Sequence, residues 1–158
     1  MSNVLLDIKK LKIWYKTYRG YAEVVDGIDL HVNKGEKVGL VGESGCGKTS
    51  TVKTVLRIID ETSSHIDGGE IFFNDKDILK MNNNELQKVR RKKIAMISQE
   101  PSAALNPVFT IGQTMGEVIK YSIDDKKISK SDIQEMSVNA IKNVKHIFKD
   151  GNLVKEFI

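Results

Sequence analysis

Several things are scarce in this chain of 158 residues. A single cysteine, Cys46, can form no internal disulfide, which excludes a disulfide-stapled scaffold and fits a reducing compartment. Prolines number two, Pro101 and Pro107, and both fall in one short stretch. No apolar run approaches the roughly 18 residues that cross a bilayer, and the start, MSNVLLDIKKLK, lacks the successive regions of a signal peptide. These features predict a cytoplasmic chain. Arginine is confined to Arg19, Arg57, Arg90 and Arg91, so the net charge of +4 comes mainly from lysines interspersed with acidic residues. The one dense basic run, Lys88 to Lys93, leads straight into apolar Ile94 to Ile97 and reads as a solvated helix face. No nucleic-acid partner is expected from it.

What is present is the balance of a soluble globular domain, or part of one: 40% hydrophobic and 29% charged residues, with no internal repeat and no low-complexity linker. The first forty residues alternate in apolarity through Leu6 and Ile8 and again through Ile28, Leu30 and Val32, with Gly20, Gly27 and Asn33-Lys34-Gly35 as turns. This predicts a small antiparallel sheet. Lys37 to Val41 reads as a short strand entering a glycine-rich loop, and Ser50 to Ile59 as the helix that follows it. A turn at Asp67-Gly68-Gly69 precedes a strand over Glu70 to Phe73, and Asn82 with Glu85 offers an N-cap for a helix through about Arg91. Ile94 to Ile97 reads as a buried strand. From Ile111 the pattern turns helical, with a capping box expected at Ser131 and Gln134 and apolar positions from Ile133 to Phe148.

The glycine-rich loop carries the chemistry. Gly42-Glu43-Ser44-Gly45-Cys46-Gly47-Lys48-Thr49 matches G-x-x-x-x-G-K-[ST] at every fixed position, between an expected strand and an expected helix. Glycines there let successive backbone N–H groups converge on phosphate oxygens, and the helix N-terminus adds partial positive charge. Lys48 is placed to bridge the β- and γ-phosphates of a nucleotide, the Thr49 hydroxyl to ligate Mg2+, and the Ser50 hydroxyl to reach the α-phosphate.

The flanking residues narrow the class. VDGIDLHVNKGEKVGL followed by VGESGCGKTS resembles the start of an ATP-binding-cassette (ABC) ATPase subunit, with Gly35-Glu36 as its glycine–glutamate turn. IAMISQEPSAALNPVFTIG resembles the Q-loop region of the oligopeptide and dipeptide importer ATPases, through Gln99, Pro101, Ala104, Leu105, Asn106 and Pro107. The resemblance runs from about Leu5 to Glu117 and loosens beyond it. Thr114 stands where members of that family often have glutamine. It implies an α/β fold: a P-loop NTPase core with an N-terminal antiparallel β subdomain and the start of a helical subdomain, truncated before the later core strands. In that division 1–36 is mainly antiparallel β, 37–109 the core and 110–158 the start of the helical part.

The resemblance implies ATP and Mg2+ as ligands, with Gln99 reaching the metal and the attacking water. A neutral amide suits that place because it adds no charge to an anionic site. It also implies partners: transmembrane permease subunits met through the Q-loop region, and a second ATPase subunit, at the inner face of the cell membrane. An aromatic residue upstream of the loop is expected to stack on adenine, with Tyr18 as candidate and Tyr15 and Tyr21 as rivals. Cys46 occupies a free position of the loop and gains no catalytic role. His31, His65 and His146 have no ligand spacing.

Such an ATPase further needs a Mg2+-binding aspartate with a catalytic glutamate, an LSGGQ-like signature and a switch histidine, and none is found after Gln99. Asp60-Glu61, after an apolar run, imitates the acidic pair but stands too close to Lys48 and reads as the exposed end of the loop's helix. Two further readings stand beside an importer ATPase. A small P-loop kinase would share the loop but has no reason to carry Gln99 with the Pro101 to Pro107 stretch. A fragment that binds nucleotide or partner without turnover would carry both.

Overall fold

The computed structural model describes residues 3–100, 105–123 and 128–145. Two compact units divide the chain, residues 1–90 and 91–158. The change falls inside the helix over residues 83–92.

The first unit is built on a four-stranded antiparallel sheet in the order β2-β1-β3-β4. Strands β1 (Val4–Thr17) and β2 (Gly20–Asn33) form a hairpin, β3 (Ser64–Phe73) pairs with the other edge of β1, and β4 (Lys76–Asp77) closes the row. Apolar residues of β1 change phase midway, from Leu6 and Ile8 to Leu11 and Ile13. A strict two-residue period would bury one set and expose the other. A bulge between Ile8 and Leu11 resolves the conflict by inserting one extra residue, so Ile8, Leu11 and Ile13 all sit in the core. Lys10 takes the strained left-handed backbone that this requires (φ 47°), and its N–H donates to Asp29 Oδ1 at 3.0 Å. Across the bulge, Gly69 approaches so closely that a Cβ there would lie 2.5 Å from Leu11 Cα. Gly27, expected as a turn, instead lies within β2 at φ 69°.

Against this sheet pack α1 (Lys48–Val55), a 3-10 turn (Ile78–Lys80) and the start of α2 (Asn83–Lys92). They bury Val55, Leu56, Ile59, Ile71, Phe73, Ile78 and Leu86 in one core. The cap at α2 is the expected one: Asn82 Oδ1 accepts from Glu85 N–H at 3.0 Å, and Glu85 returns the bond to Asn82 N–H at 3.1 Å. Helix α1 is shorter than the sequence suggested. It ends at Val55, and Arg57 turns left-handed (φ 48°).

Two expected strands are not strands here. Residues 36–43 and 94–98 carry no ladder, and Val41 and Ile97 are about nine-tenths exposed. A strand exists only where another strand satisfies its N–H and C=O groups, and neither segment pairs with a described strand. Among the described residues the one sheet is the antiparallel one.

The second unit holds α3 (Ile111–Ser122) and α4 (Lys130–Lys145). Helix α3 opens on a capping box of Thr110 and Gln113 that the sequence reading passed over. At α4 the box is Ser129 with Asp132, two residues before the expected Ser131 and Gln134, because Ser129 Oγ accepts from Asp132 N–H at 3.1 Å. Ile133 and Gly116 meet between the two helices, where a Cβ on Gly116 would lie 3.4 Å from Ile133 Cγ2. His146 and Phe148 lie outside the described residues.

Candidate functional site

The loop 42–49 is anchored to the hairpin at one residue. Gly47 caps α1 with φ 89°, and a Cβ there would stand 2.8 Å from both Val24 O and Val25 Cγ2. Only glycine satisfies that backbone angle and that approach together. Gly42 is exposed, and a Cβ there would meet only the Cys46 side chain, at 2.7 Å from its Sγ. Gly45 is also left-handed (φ 82°) but open to solvent.

The first bond of α1 runs from Thr51 N–H to Gly47 O at 2.9 Å, so the N–H groups of Lys48, Thr49 and Ser50 precede it and end the helix as unpaired donors. No side chain caps them. The Lys48 ammonium folds back over the loop, donating to Gly42 O at 2.7 Å and Glu43 O at 2.5 Å, with Cys46 Sγ 3.4 Å away. A cationic nitrogen and free backbone donors thus belong to one short loop and its helix start, with Ser44, Cys46 and Thr49 exposed. Donors grouped in this way suit an anion with several oxygens. The exposed Thr49 hydroxyl on the first turn is one neutral ligand for a cation, which would depend on phosphate oxygens for most of its partners.

Among the tyrosines, Tyr15 reaches the loop. Its hydroxyl lies 3.2 Å from Ser50 Oγ, and its ring is half-buried on β1. Tyr18 sits fully exposed in the β1–β2 turn, and Tyr21 packs on Trp14 with ring centroids 6.2 Å apart. Of the three, Tyr15 is the one placed beside the start of α1. Tyr15 follows Leu11 and Ile13 at two-residue spacing on β1, whereas Tyr18 lies past the strand's end.

Gln99 is exposed in the second unit, after the unpaired segment 94–98. Pro101 and Ala104 lie outside the described residues. Asn106 accepts from Val108 N–H at 3.0 Å and turns the chain through Pro107 toward α3. Asp60 lies beyond α1, not at its end. Its carboxylate takes bonds from Thr62 N–H (2.9 Å), Thr62 Oγ1 (2.7 Å) and Ser63 Oγ (2.8 Å). The two hydroxyls, then the Thr62 N–H, hold its pKa below the ordinary carboxylate value. No histidine, cysteine or carboxylate cluster that could hold a metal occurs among the described residues.

A glycine-lined loop that opens a helix with Lys48 folded over it defines a phosphate-binding nucleotide protein. Comparison gives the family: the ABC transporter family model matches residues 25–155, and the chain belongs to that family. It is 36% identical over 140 residues to the oligopeptide transport ATP-binding protein OppD of Bacillus subtilis (strain 168), covering 89% of this chain and 38% of that protein. To the oligopeptide transport protein AppD of the same organism it is 35% identical, covering 90% and 42%, and to its dipeptide transport protein DppD 32%, covering 84% and 40%. The chain thus spans about two-fifths of the length of these curated relatives. Among solved structures, the dimeric post-hydrolysis state of the ATP-binding cassette MJ0796 bound to ADP and Pi superposes with a TM-score of 0.73 at 20% identity, over 87% of this chain and 56% of that one. That likeness confirms the fold class.

Proposed function

We propose that this chain binds Mg-ATP through the loop 42–49, as part of the ATPase that drives an ABC importer of peptides or related small solutes. The observation that carries this reading is the loop's geometry: a left-handed Gly47 pinned to β2, three unpaired N–H groups after it and the Lys48 ammonium over the same loop. Lys48 and the N–H groups of 48–50 would hold the β- and γ-phosphates, the Thr49 hydroxyl would offer one ligand to Mg2+, and Ser50 would reach the α-phosphate. Bound Mg2+ would neutralise phosphate charge. The ring of Tyr15 is the stacking candidate for adenine. Likeness to OppD, AppD and DppD supports a peptide class of cargo, and with it permease subunits docked near Gln99, a second ATPase subunit across the site, and a place at the inner face of the membrane.

The chain by itself is read as binding ATP without turning it over. Asp60-Glu61, the acidic pair weighed in the sequence, follows the far end of α1, and the Asp60 oxygens are engaged by Thr62 and Ser63. Calorimetric titration tests both parts. The wild-type chain should bind Mg-ATP, Lys48→Ala should bind it about ten- to a hundredfold more weakly by losing a charge-assisted contact, and AMP should bind each alike. Equal ATP affinity in a folded Lys48→Ala chain would place the site elsewhere. Steady hydrolysis by the wild type that Lys48→Ala abolishes would overturn the reading of the isolated chain. A third check uses Cys46: saturating Mg-ATP should slow its alkylation, and equal labelling rates with and without ATP would argue against phosphate beside Gly42 to Thr49.

A further inference from the structure

The far end of the loop's helix is held as tightly as its beginning. Arg57 N–H donates to Thr54 O at 2.9 Å and Ile58 N–H to Lys53 O at 3.0 Å, so α1 closes in a Schellman motif with Arg57 at the left-handed position. Glycine is the ordinary residue there, and any side chain costs backbone energy at φ 48°. The Arg57 side chain has a use that glycine lacks: its Nη1 donates to Met81 O at 2.9 Å, immediately before α2. From α2 the bond is returned. Arg90 Nε donates to Leu56 O at 2.8 Å and Arg90 Nη2 to Arg57 O at 2.6 Å. One guanidinium therefore takes the two carbonyls that follow α1, where the helix dipole concentrates negative charge.

Helix α1 needs such a clasp. It has only eight residues and no side-chain N-cap, and it buries only Thr51, Thr54 and Val55. Two of these spend their hydroxyls on the helix itself, Thr51 on Gly47 O and Thr54 on Ser50 O. Little apolar surface fixes how far α1 slides or tilts over the sheet, so its placement depends on Gly47 at one end and the arginine pair at the other.

We propose that Arg90, working with Arg57, is a positioning residue for the nucleotide's phosphates: it touches no ligand and sets where the N–H groups of Lys48, Thr49 and Ser50 point. The inference rests on the nucleotide reading above. Lysine cannot replace the fork, because an ammonium is a point charge without two fixed, parallel donors.

The test titrates wild type, Arg90→Lys and Arg90→Ala with Mg-ATP, ADP and AMP by calorimetry, alongside thermal melts of each. Both variants should lose about tenfold in ATP and ADP affinity, in line with a displaced charge-assisted contact. AMP affinity should stay within twofold. Arg57→Gly, which relieves the backbone strain but removes the bond to Met81, should keep the melting temperature yet lose phosphate affinity in the same pattern. A purely structural role would lower all three ligands together with the fraction folded, and that result, or unchanged ATP affinity in both Arg90 variants, would overturn the proposal. If Arg90→Ala fails to fold, Arg90→Lys and Arg57→Gly decide by the same pattern. Absence of ATP binding by the wild type would instead refute the nucleotide reading itself.

Discussion

The hairpin β1–β2 and the segment 36–43 adjoin in sequence and share a composition, yet they end in opposite states. Ile8, Leu11 and Ile13 are 1% exposed or less, while Val38 and Leu40 are each 43% exposed and Val41 is 93% exposed. Both stretches have the β-branched and aliphatic residues that suit a strand. The hairpin has its partner built in, two residues away across the Tyr18-Arg19 turn, and β3 satisfies its other edge. The segment 36–43 pairs with no described strand, and the backbone bonds it does make are local, to Asn33, Cys46 and Lys48. Even so, the loop it feeds is well formed, because the loop hangs from Val24 and Val25 of β2 and not from the strand-like segment before it. Phosphate binding is thus expected to depend on residues that touch the hairpin and to ignore the unpaired stretch.

The largest effect should come from a pair of glycines that differ in this respect. Gly47→Ala drives a methyl to 2.8 Å from Val24 O at φ 89°, so the loop must leave the sheet. ATP affinity is expected to fall by about a hundredfold or more, which corresponds to roughly 3 kcal/mol. Gly39→Ala meets nothing within 4 Å and requires no positive φ, so it should change neither affinity nor melting temperature measurably. Equal losses in the two variants would show that the segment 36–43 supports the loop after all.

A smaller difference should separate two tyrosines. Tyr15→Ala is expected to weaken ATP binding about five- to tenfold, the scale of one aromatic contact near 1 kcal/mol, and Tyr18→Ala to leave it unchanged. Tyr15→Phe keeps the ring and loses only the hydroxyl beside Ser50, so it should retain most of the affinity. If Tyr18→Ala has the larger effect, the adenine lies over the β1–β2 turn and Tyr15 is a packing residue.

The phosphate loop was legible because its geometry is local: glycine at 42, 45 and 47, with lysine and threonine next, dictates backbone angles and donors within eight residues. The caps at Asn82 and Glu85 were legible for the same reason. What escaped depended on distant partners. Nothing in Ile94 to Ile97 says whether a strand lies beside it, and nothing in Lys9-Lys10 announces the bulge except the change of phase between Ile8 and Leu11. Arg57 and Arg90, 33 positions apart, meet only because α2 packs across the end of α1. Helix α1 stopped early because its end was set by a left-handed arginine, a choice that propensity alone disfavours.

The smallest expected effect concerns the acidic pair that imitates a catalytic one. Asp60 lies a few residues beyond α1, exposed, with its carboxylate accepting from Thr62 and Ser63. Those bonds favour the charged form, so its folded-state pKa is lowered relative to the unfolded chain. A group of this sign stabilises the fold above its unfolded pKa, near 4, and loses that contribution as pH falls through the lower folded value. Asp60→Asn should therefore melt slightly below wild type at pH 7, and the two curves should converge as pH falls through the lowered folded-state value. Solvent and salt screen an exposed site, and the asparagine carbonyl can still accept from Thr62 N–H, so the gap stays small. ATP affinity should not change at any pH in that range, because the residue serves the turn and not the nucleotide. Loss of Mg-ATP binding in Asp60→Asn, with binding of metal-free ATP retained, would make Asp60 a metal ligand and join the turn at 57–63 to the site built on the hairpin.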